Sequence, residues 1–356
     1  MPIKHINLTS ERVRSLDPGD MLGKTLELPQ QILTGLRIGR EFIEAHALER
    51  IAELEWVGLG GSAVAGDLLQ GFGFEPPTLP LRISVQRYPR AAQAKRLICS
   101  YSGNTVETVR AFEETEPWRI WLALSSGGRL KELAVKTGVP HVSIPSGYPP
   151  RAAVGFVLGA MFAIFERIYS VALADYMELC GKLETDGEDY RQFDPGRNPA
   201  LDLAAKLIDR TPVLYSADGL LMPAVALRFR AQLAENAKVW SHAAELPELA
   251  HNEVEALGFL GQLLPPPLVI FLGDWHLGAN FTDPRSGLRG LFDDLGIQHL
   301  TIGAAEVGES LEARLAVGLR AMLLLDAAPV YLALLKALNP MEIPIITRLK
   351  NSGLST

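Results

Sequence analysis

Short apolar runs alternate with helical stretches along the first half of the chain. The apolar runs begin near residues 55, 81, 96, 119 and 141, and most lead through a small polar loop into a helical stretch. Strands that are almost continuously apolar and alternate with helices are typical of a parallel sheet covered on both faces. The pattern predicts a doubly wound α/β domain, in which ligands bind beyond the carboxyl ends of the strands.

The second half repeats this pattern in a weaker form. Apolar runs begin at Pro212, Pro267 and Gln298, with helical stretches at 223–240 and 309–337. The stretch 181–199 is polar and rich in Gly, Asp and Pro, so we interpret it as a linker. We therefore expect two α/β domains, residues 1–185 and 186–356, the second a diverged copy of the first. The first 45 residues are predicted to form an amphipathic helical cap on the N-terminal domain.

Composition argues against several classes of protein. The 356 residues carry a net charge of -7 without a basic block, so we expect no nucleic-acid partner. The apolar run at 153–165 is shorter than a bilayer span requires, so no membrane role is expected. The start of the chain lacks the apolar segment of a signal peptide. The two cysteines, Cys99 and Cys180, fit neither a disulfide framework nor a metal site. We expect a cytoplasmic protein without a metal ion.

Three loops of the first half favour an anionic ligand. They are GGS at 60–62, SYSGNT at 100–105 and SSGG at 125–128, each between a predicted strand and a predicted helix. A helix N-terminus has unpaired N–H groups and carries partial positive charge, both of which attract an anion. Glycine lets the backbone approach a ligand closely, and hydroxyl groups add hydrogen bonds to it. Such loops suit a phosphate monoester without lysine or arginine.

Two other interpretations of these loops remain. Serine and threonine cap helices and glycine serves tight turns, although the three hydroxyls of 100–105 exceed what one cap needs. Residues 58–63 also match G-x-G-x-x-A, a dinucleotide fingerprint. The acid expected at the end of the second strand is absent, although Arg87 could meet the extra phosphate of NADP. An NADP-dependent reductase would leave the 100–105 loop unexplained.

The same motifs, with three from later in the chain, resemble a known family. The loops at 60–62, 100–108 (SYSGNTVET) and 126–128 resemble the sugar isomerase (SIS) domain. Three later segments resemble the bifunctional phosphoglucose/phosphomannose isomerases of archaea and bacteria. They are YPPR at 148–151, ENAK at 235–238 and PELAHNE at 247–253. The resemblance implies two flavodoxin-like SIS domains and interconversion of glucose 6-phosphate, and of mannose 6-phosphate, with fructose 6-phosphate. It also implies a homodimer with the active site at the subunit interface, and no cofactor.

The resemblance assigns roles to individual residues. Glu235 matches the catalytic base, and Arg151 matches an arginine that supports the reacting end of the sugar. His251 matches a ring-opening histidine that reaches across the subunit interface, and Lys350 matches a C-terminal lysine that helps to open the ring. The residues that match the phosphate-binding loops are Gly61, Ser62, Ser100, Ser102 and Thr105.

These roles are chemically reasonable. A carboxylate such as that of Glu235, held close to two carbons, can move a proton between them, and the Arg151 guanidinium can stabilise the enediolate. Histidine titrates near neutral pH, so His251 can move the proton of the ring oxygen when the sugar ring opens. From spacing alone, Glu235 lies off the apolar stripe of its helix and would be an ordinary exposed residue that pairs with Lys238. Glu253 and Glu255 are alternative acids.

Two questions stay open at this level. A non-catalytic SIS protein that senses a sugar phosphate would need the phosphate loops but neither Glu235 nor His251. The family often has Thr-Pro before its final lysine, whereas this chain has Ile343-Pro344, which leaves the balance between glucose and mannose substrates undecided.

Overall fold

A computed structural model describes residues 8–73, 81–86, 94–171, 174–216, 219–260, 265–273, 284–303 and 310–351. Its strands are β1 Glu53–Val57, β2 Arg82–Gln86, β3 Lys95–Cys99, β4 Ile120–Ser125, β5 His141–Ser143, β6 Thr211–Ser216, β7 His242–Glu245, β8 Pro267–Leu272 and β9 Gln298–Ile302. Its helices are α1 Ser10–Leu16, α2 Met21–Leu26, α3 Leu28–Ala45, α4 Gly61–Phe72, α5 Val106–Glu113, α6 Gly128–Thr137, α7 Val154–Tyr169, α8 Tyr176–Asp189, α9 Pro199–Leu207, α10 Leu221–Gln232, α11 Glu253–Leu260, α12 Pro284–Asp294, α13 Leu311–Leu335 and α14 Pro344–Asn351.

The chain forms two compact units, each built from two stretches of sequence. We call Glu27–Glu184 with Ile343–Thr356 the N-terminal unit, and Met1–Leu26 with Thr185–Glu342 the C-terminal unit. The chain passes from the N-terminal unit to the C-terminal unit at Thr185. Both ends of the chain, however, group with the opposite unit.

The N-terminal unit contains a parallel sheet of order β2-β1-β3-β4-β5. This is the flavodoxin-like order, in which the crossover direction changes beside β1. Strand β4 is buried along its whole length, and β1 and β3 are buried except at their first residues, because helices cover both faces. Helices α3 and α7 pack against each other, and the apolar run at 153–165 is the buried body of α7.

The C-terminal unit contains a second parallel sheet, of order β7-β6-β8-β9. Its first strand, β6, lies between the second and third, as β1 does in the other sheet. The two parallel sheets with their helices confirm the predicted α/β fold class. The shared strand order agrees with the interpretation of the second half as a diverged copy.

Two segments differ from the sequence-based expectations. The predicted linker at 181–199 is helical as far as Asp189, because the residues of α8 at helical spacing, among them Leu179, Cys180 and Leu183, are buried. The N-terminal helices do not cap the N-terminal domain as a single body. The carboxylate of Asp17 accepts hydrogen bonds from the first amides of α2, and α2 packs against α13 of the C-terminal unit.

The helical stretch predicted at 223–240 is shorter in the structure. Helix α10 ends at Gln232, a π-helical turn follows over Leu233–Ala237, and Lys238 ends it with a left-handed φ of 55°. Trp240 therefore lies beyond the helical segment and is 64% exposed. Strand β7, which the sequence pattern did not predict, begins two residues later.

Helix α13 is the one described helix long and apolar enough to cross a membrane by length and composition. It has 25 residues, and 78% of its most apolar stretch is buried inside the protein. The helix also contains Asp326, which pairs with Arg228. These are the properties of the central helix of a folded domain.

Candidate active site

The three small loops of the N-terminal unit meet at the carboxyl edge of its sheet, where they connect β1 to α4, β3 to α5 and β4 to α6. Tyr101, in the second loop, joins all three. Its amide donates to the Ser62 hydroxyl over 3.1 Å, and its carbonyl accepts from the Ser126 hydroxyl over 2.7 Å. The loops therefore form one connected surface.

The second and third loops also interlock through glycine. Gly103 has a left-handed φ of 70°, and a side chain there would overlap the carbonyl oxygen of Gly127. The Gly103 carbonyl accepts the amide of Leu130, and the Asn104 side chain accepts the amide of Arg129, both over 2.9 Å. The second loop thus occupies the N-terminus of α6, whereas Thr105, the N-cap residue of α5, makes no side-chain cap hydrogen bond.

The hydroxyls of these loops have different environments. Ser100 is buried and donates to the Thr105 hydroxyl over 3.1 Å. Ser102 is exposed and accepts the amide of Asn104 over 3.2 Å, which leaves its hydroxyl proton for another acceptor. Ser62 is buried, and its hydroxyl is engaged by Tyr101. Ser62 therefore connects two loops, while Ser102 faces solvent.

Cys99 lies directly beneath this surface, at the end of β3. Its thiol is fully buried, and burial raises the pKa of the thiol to about 12. A hydrogen bond with Ser62 acts in the opposite direction and lowers this pKa by a smaller amount. A thiol with so high a pKa is not nucleophilic at neutral pH. Cys99 is part of the sheet's core.

A fourth segment, residues 145–152, lies against the same edge. Tyr101 holds it, since its phenol accepts the amide of Tyr148 over 3.0 Å and donates to the carbonyl of Pro145 over 3.1 Å. Burial raises the pKa of the Tyr101 phenol. The Gln31 side chain in α3 holds the far end of the segment by donating to the carbonyl of Ala152 over 2.7 Å.

Arg151 lies in the short 3-10 helix of this segment, Pro150–Ala152, and is only 6% exposed. A Cβ atom at Gly61 would lie 3.0 Å from the carbonyl oxygen of Pro150, so the segment packs closely against the first residue of α4. The structure thus places Arg151 next to the first loop. It is a buried arginine and not a solvated residue at the start of a helix.

Glu235 lies in the C-terminal unit, on the π-helical turn Leu233–Ala237. It is half-buried, and its main-chain carbonyl accepts from the Lys238 ammonium over 3.0 Å. The Lys238 ammonium also donates to the carbonyls of Asn236 and Asn339, so it caps the end of the turn. π-Helical turns are rare and occur often at functional sites.

His251 and Lys350 are both exposed. His251 is the last residue of the 3-10 helix Glu248–His251 in the C-terminal unit, and Lys350 lies on α14, which groups with the N-terminal unit. Glu253, considered as an alternative acid, binds His242 over 2.9 Å. Within the described ranges, no three His, Cys, Asp or Glu side chains are arranged to hold a metal ion.

The structure thus gathers the residues predicted to bind phosphate, and Arg151, at one edge of one sheet. Glu235 and His251 lie on separate elements of the other unit. Arg87, which an NADP site would use, lies outside the described residues. Sequence analysis missed Tyr101 and Gln31 as residues that position the loops. One feature of the sequence indicates Tyr101: it is a bulky aromatic residue between two serines in a loop of small residues.

Two parallel sheets of this order, with a hydroxyl-rich loop after β3, define a chain with two sugar isomerase (SIS) domains. The family model for the bacterial phospho-glucose isomerase C-terminal SIS domain matches residues 196–352. The bifunctional phosphoglucose/phosphomannose isomerase of Caldicellulosiruptor bescii is 30% identical over 93% of this chain and 98% of its own length. The chain belongs to the bifunctional phosphoglucose/phosphomannose isomerase family, as the sequence motifs predict.

Two further similarities show how widely this fold is used. The D-glucosamine-6-phosphate 4-epimerase of Sulfolobus acidocaldarius is 28% identical over 61% of this chain and 67% of its own length. The crystal structure of a hypothetical protein from Thermus thermophilus superposes with a TM-score of 0.68 over 97% of this chain and 94% of that one, at 16% identity. The second similarity concerns the fold alone.

Proposed function

We propose that the protein interconverts glucose 6-phosphate and mannose 6-phosphate with fructose 6-phosphate. The observation that carries the proposal is the connected surface of glycine and hydroxyl loops at the carboxyl edge of the first sheet, in a chain of this family. It offers amide and hydroxyl donors to a phosphate group, with the buried Arg151 beside it. A phosphate held there fixes one end of the sugar and leaves the other end for chemistry.

Phosphate binding is assigned to the loops at 60–62 and 100–105. Thr105 precedes α5 and makes no side-chain cap hydrogen bond, so the first amides of this helix can bind phosphate oxygens together with the Ser102 and Thr105 hydroxyls. Gly61 lets the phosphate approach the start of α4. Ser62 and Ser100, whose hydroxyls are bound within the protein, hold the loops in position.

The reaction begins with ring opening. His251, helped by Lys350, removes the proton from the hydroxyl on C1 and protonates the ring oxygen, which gives the open-chain aldose. The Glu235 carboxylate then takes the proton from C2, and the electron pair forms the C1–C2 double bond of a cis-enediolate. Arg151 stabilises the negative charge on the oxygen.

The ketose forms when the same carboxylate returns its proton to C1 and the remaining hydroxyl proton passes from O2 to O1. No proton is lost overall. Glucose and mannose phosphates differ only in the configuration at C2 and share this enediol, so one base can serve both. A half-buried carboxylate on a π-helical turn suits this role.

The active unit is proposed to be a cytoplasmic homodimer in which His251 acts on the site of the partner. The exposure of His251 on a short surface helix supports this arrangement. A coupled assay of the purified protein with each hexose phosphate, without added metal, tests the activity. Turnover of glucosamine 6-phosphate by epimerisation, or binding without turnover, would contradict the proposal and indicate an epimerase or a sugar-phosphate sensor.

The variant Glu235→Gln tests the base. It keeps the shape of the side chain but cannot accept the proton, so kcat is expected to fall by about 1,000-fold, within the range for loss of a general base. Binding of 5-phosphoarabinonate, an enediolate-like inhibitor, should be retained, as isothermal titration would show. Turnover at the wild-type rate would exclude Glu235 as the base.

Mixing this variant with His251→Ala tests the shared site. If each site combines Glu235 of one subunit with the histidine of the other, a mixed dimer has one site with both changes and one intact site. Two inactive proteins would then recover activity after exchange of subunits. Continued inactivity of verified mixed dimers would place both residues in the same subunit's site.

A further inference from the structure

Four buried polar side chains of the C-terminal unit form a chain of hydrogen bonds that ends beside Glu235. Asp326 of α13 accepts from the Arg228 guanidinium, with its Oδ2 3.0 Å from Nε and 2.7 Å from a terminal nitrogen. Its other oxygen accepts from the amide nitrogen of Gln232 over 3.0 Å. The Gln232 oxygen then accepts from the amide nitrogen of Asn236 over 2.9 Å.

The direction of this chain is set by the carboxylate. Because an ionised carboxylate can only accept, the Gln232 side chain must present its nitrogen to Asp326 and its oxygen to Asn236. Asn236 must therefore donate, which fixes the orientation of both amides. All four residues are buried, and Asn236 is 0% exposed, so water cannot replace a lost partner without cost.

The end of the chain lies inside the π-helical turn. Arg228, Gln232 and Asn236 are spaced by four residues, and the buried Asn236, within the turn, donates to Gln232 in the helix before it. At the last residue of the turn, the Lys336 ammonium donates to the carbonyl of Ala237 over 3.1 Å. Hydrogen bonds thus hold the turn at Asn236 and at its last residue, Ala237. Glu235 directly precedes Asn236 in the chain.

We propose that Asp326 is a positioning residue for Glu235, acting through Gln232 and Asn236 to set the direction of the catalytic carboxylate. The carboxylate orders two amides, the second amide fixes the π-helical turn, and the turn determines where Glu235 points. This assignment depends on the proposed role of Glu235 as the base. It adds that the direction of the Glu235 carboxylate is set by buried residues in the core of the C-terminal unit.

The test uses Asn236→Ala in the full-length protein, because this variant removes the last link and leaves the Arg228–Asp326 ion pair intact. A small displacement of a catalytic group reduces turnover strongly, so kcat is expected to fall by about 10–100-fold. KM should stay within about twofold of wild type, since the phosphate loops are unchanged. Asp326→Asn is expected to lower kcat in the same way, as a second variant.

The matched control is Thr115→Val in the N-terminal unit. Thr115 takes part in a buried side-chain hydrogen bond, as Asn236 does, and accepts from the Arg96 guanidinium over 2.9 Å. Its loss should therefore destabilise the protein comparably without affecting kcat. Equal values of kcat for the folded Asn236→Ala and Thr115→Val variants would overturn the proposal.

A double-mutant cycle separates positioning from general destabilisation. In the Glu235→Gln background, Asn236→Ala should cause no further loss of kcat, although it should still lower the melting temperature. An equal loss of kcat in both backgrounds would show that Asn236 does not act through Glu235. If Glu235→Gln itself is fully active, the base role of Glu235 fails and the positioning role fails with it. If only Asn236→Ala is fully active, the positioning role alone fails.

Discussion

In the N-terminal unit the loops after β1, β3 and β4 are rich in glycine and hydroxyl residues. In the C-terminal unit, by contrast, the helix after β6 ends in a π-helical turn that carries a carboxylate. The two sheets place β1 and β6 at the same position in their strand order. Two copies of one scaffold have thus acquired different chemistry at their loops and helix ends. We propose that the N-terminal unit binds an anion and that the C-terminal unit supplies a proton acceptor.

The buried ion pairs of the two units show a related difference. In the N-terminal unit Arg96 of β3 binds Glu55 of β1 over 2.7 Å and so joins two neighbouring strands. In the C-terminal unit Arg228 binds Asp326 between helices, and that pair continues into the amides beneath the π-helical turn. The first pair supports the sheet, and we infer that the second supports a functional residue.

The largest effect in this comparison is expected from Gly103→Ala in the N-terminal unit. A methyl group there would overlap the Gly127 carbonyl and would strain a positive φ, so the substitution should cost about 3 kcal/mol or more. The second and third loops should separate, and 5-phosphoarabinonate should no longer bind detectably by calorimetry.

The control for this prediction is Gly138→Ala. Gly138 has a similar φ of 72° but no atom within 4 Å of the added methyl group. It should cost only about 1 kcal/mol and leave inhibitor affinity unchanged. Equal effects of the two alanine variants on affinity would show that the interlocked glycines do not shape the anion site.

A smaller effect is expected from Ser102→Ala. Its hydroxyl is proposed to donate to a phosphate oxygen, and a hydrogen bond to a charged group contributes about 1.5–3 kcal/mol. The affinity for 5-phosphoarabinonate should therefore fall by at least about 10-fold in a titration.

Ser310 provides the matched control in the C-terminal unit. Its hydroxyl also accepts one amide over 3.2 Å, at the start of α13, but it is assigned no ligand. Ser310→Ala should lower stability by about 1 kcal/mol, as loss of a helix cap does, without changing affinity. Unchanged affinity of Ser102→Ala would remove the distinction between the two serines.

The smallest effect concerns acid stability of the N-terminal unit. His141 of β5 contacts the Ser125 hydroxyl over 2.8 Å, and burial, with a contribution from Lys131, lowers its pKa from 6.5 to about 4. Between these values the unfolded chain binds more protons than the folded one, so the free energy of unfolding falls as the pH drops. Because the ring is only half-buried, we expect a loss of about 1–2 kcal/mol from this group.

His141→Gln should reduce this pH dependence. The variant keeps a polar partner for Ser125 but has no group that titrates in this range. Urea denaturation between pH 4 and 7 should give a flatter profile for the variant than for wild type. Identical profiles would show that another group determines the acid sensitivity.

Much of the fold can be predicted from local sequence patterns. The apolar runs of the N-terminal unit become strands within about two residues of their predicted positions, a usual error for strand ends. The loops at 60–62 and 100–105 lie where the pattern places them, because a strand followed by glycine and then a helix leaves little choice of connection. Strand β7 was missed since His242–Glu245 is short and only partly buried.

Sequence alone therefore determined the parallel sheets, the hydroxyl loops at their carboxyl edge and the family, since each depends on residues close together in the chain. Tertiary structure alone decided the burial of Arg151, the role of Tyr101 in joining the loops and the π-helical turn under Glu235. We infer that the turn depends on Asp326, which lies 94 residues from Gln232 along the chain. A hydrogen bond over that separation leaves no periodic signal in the sequence.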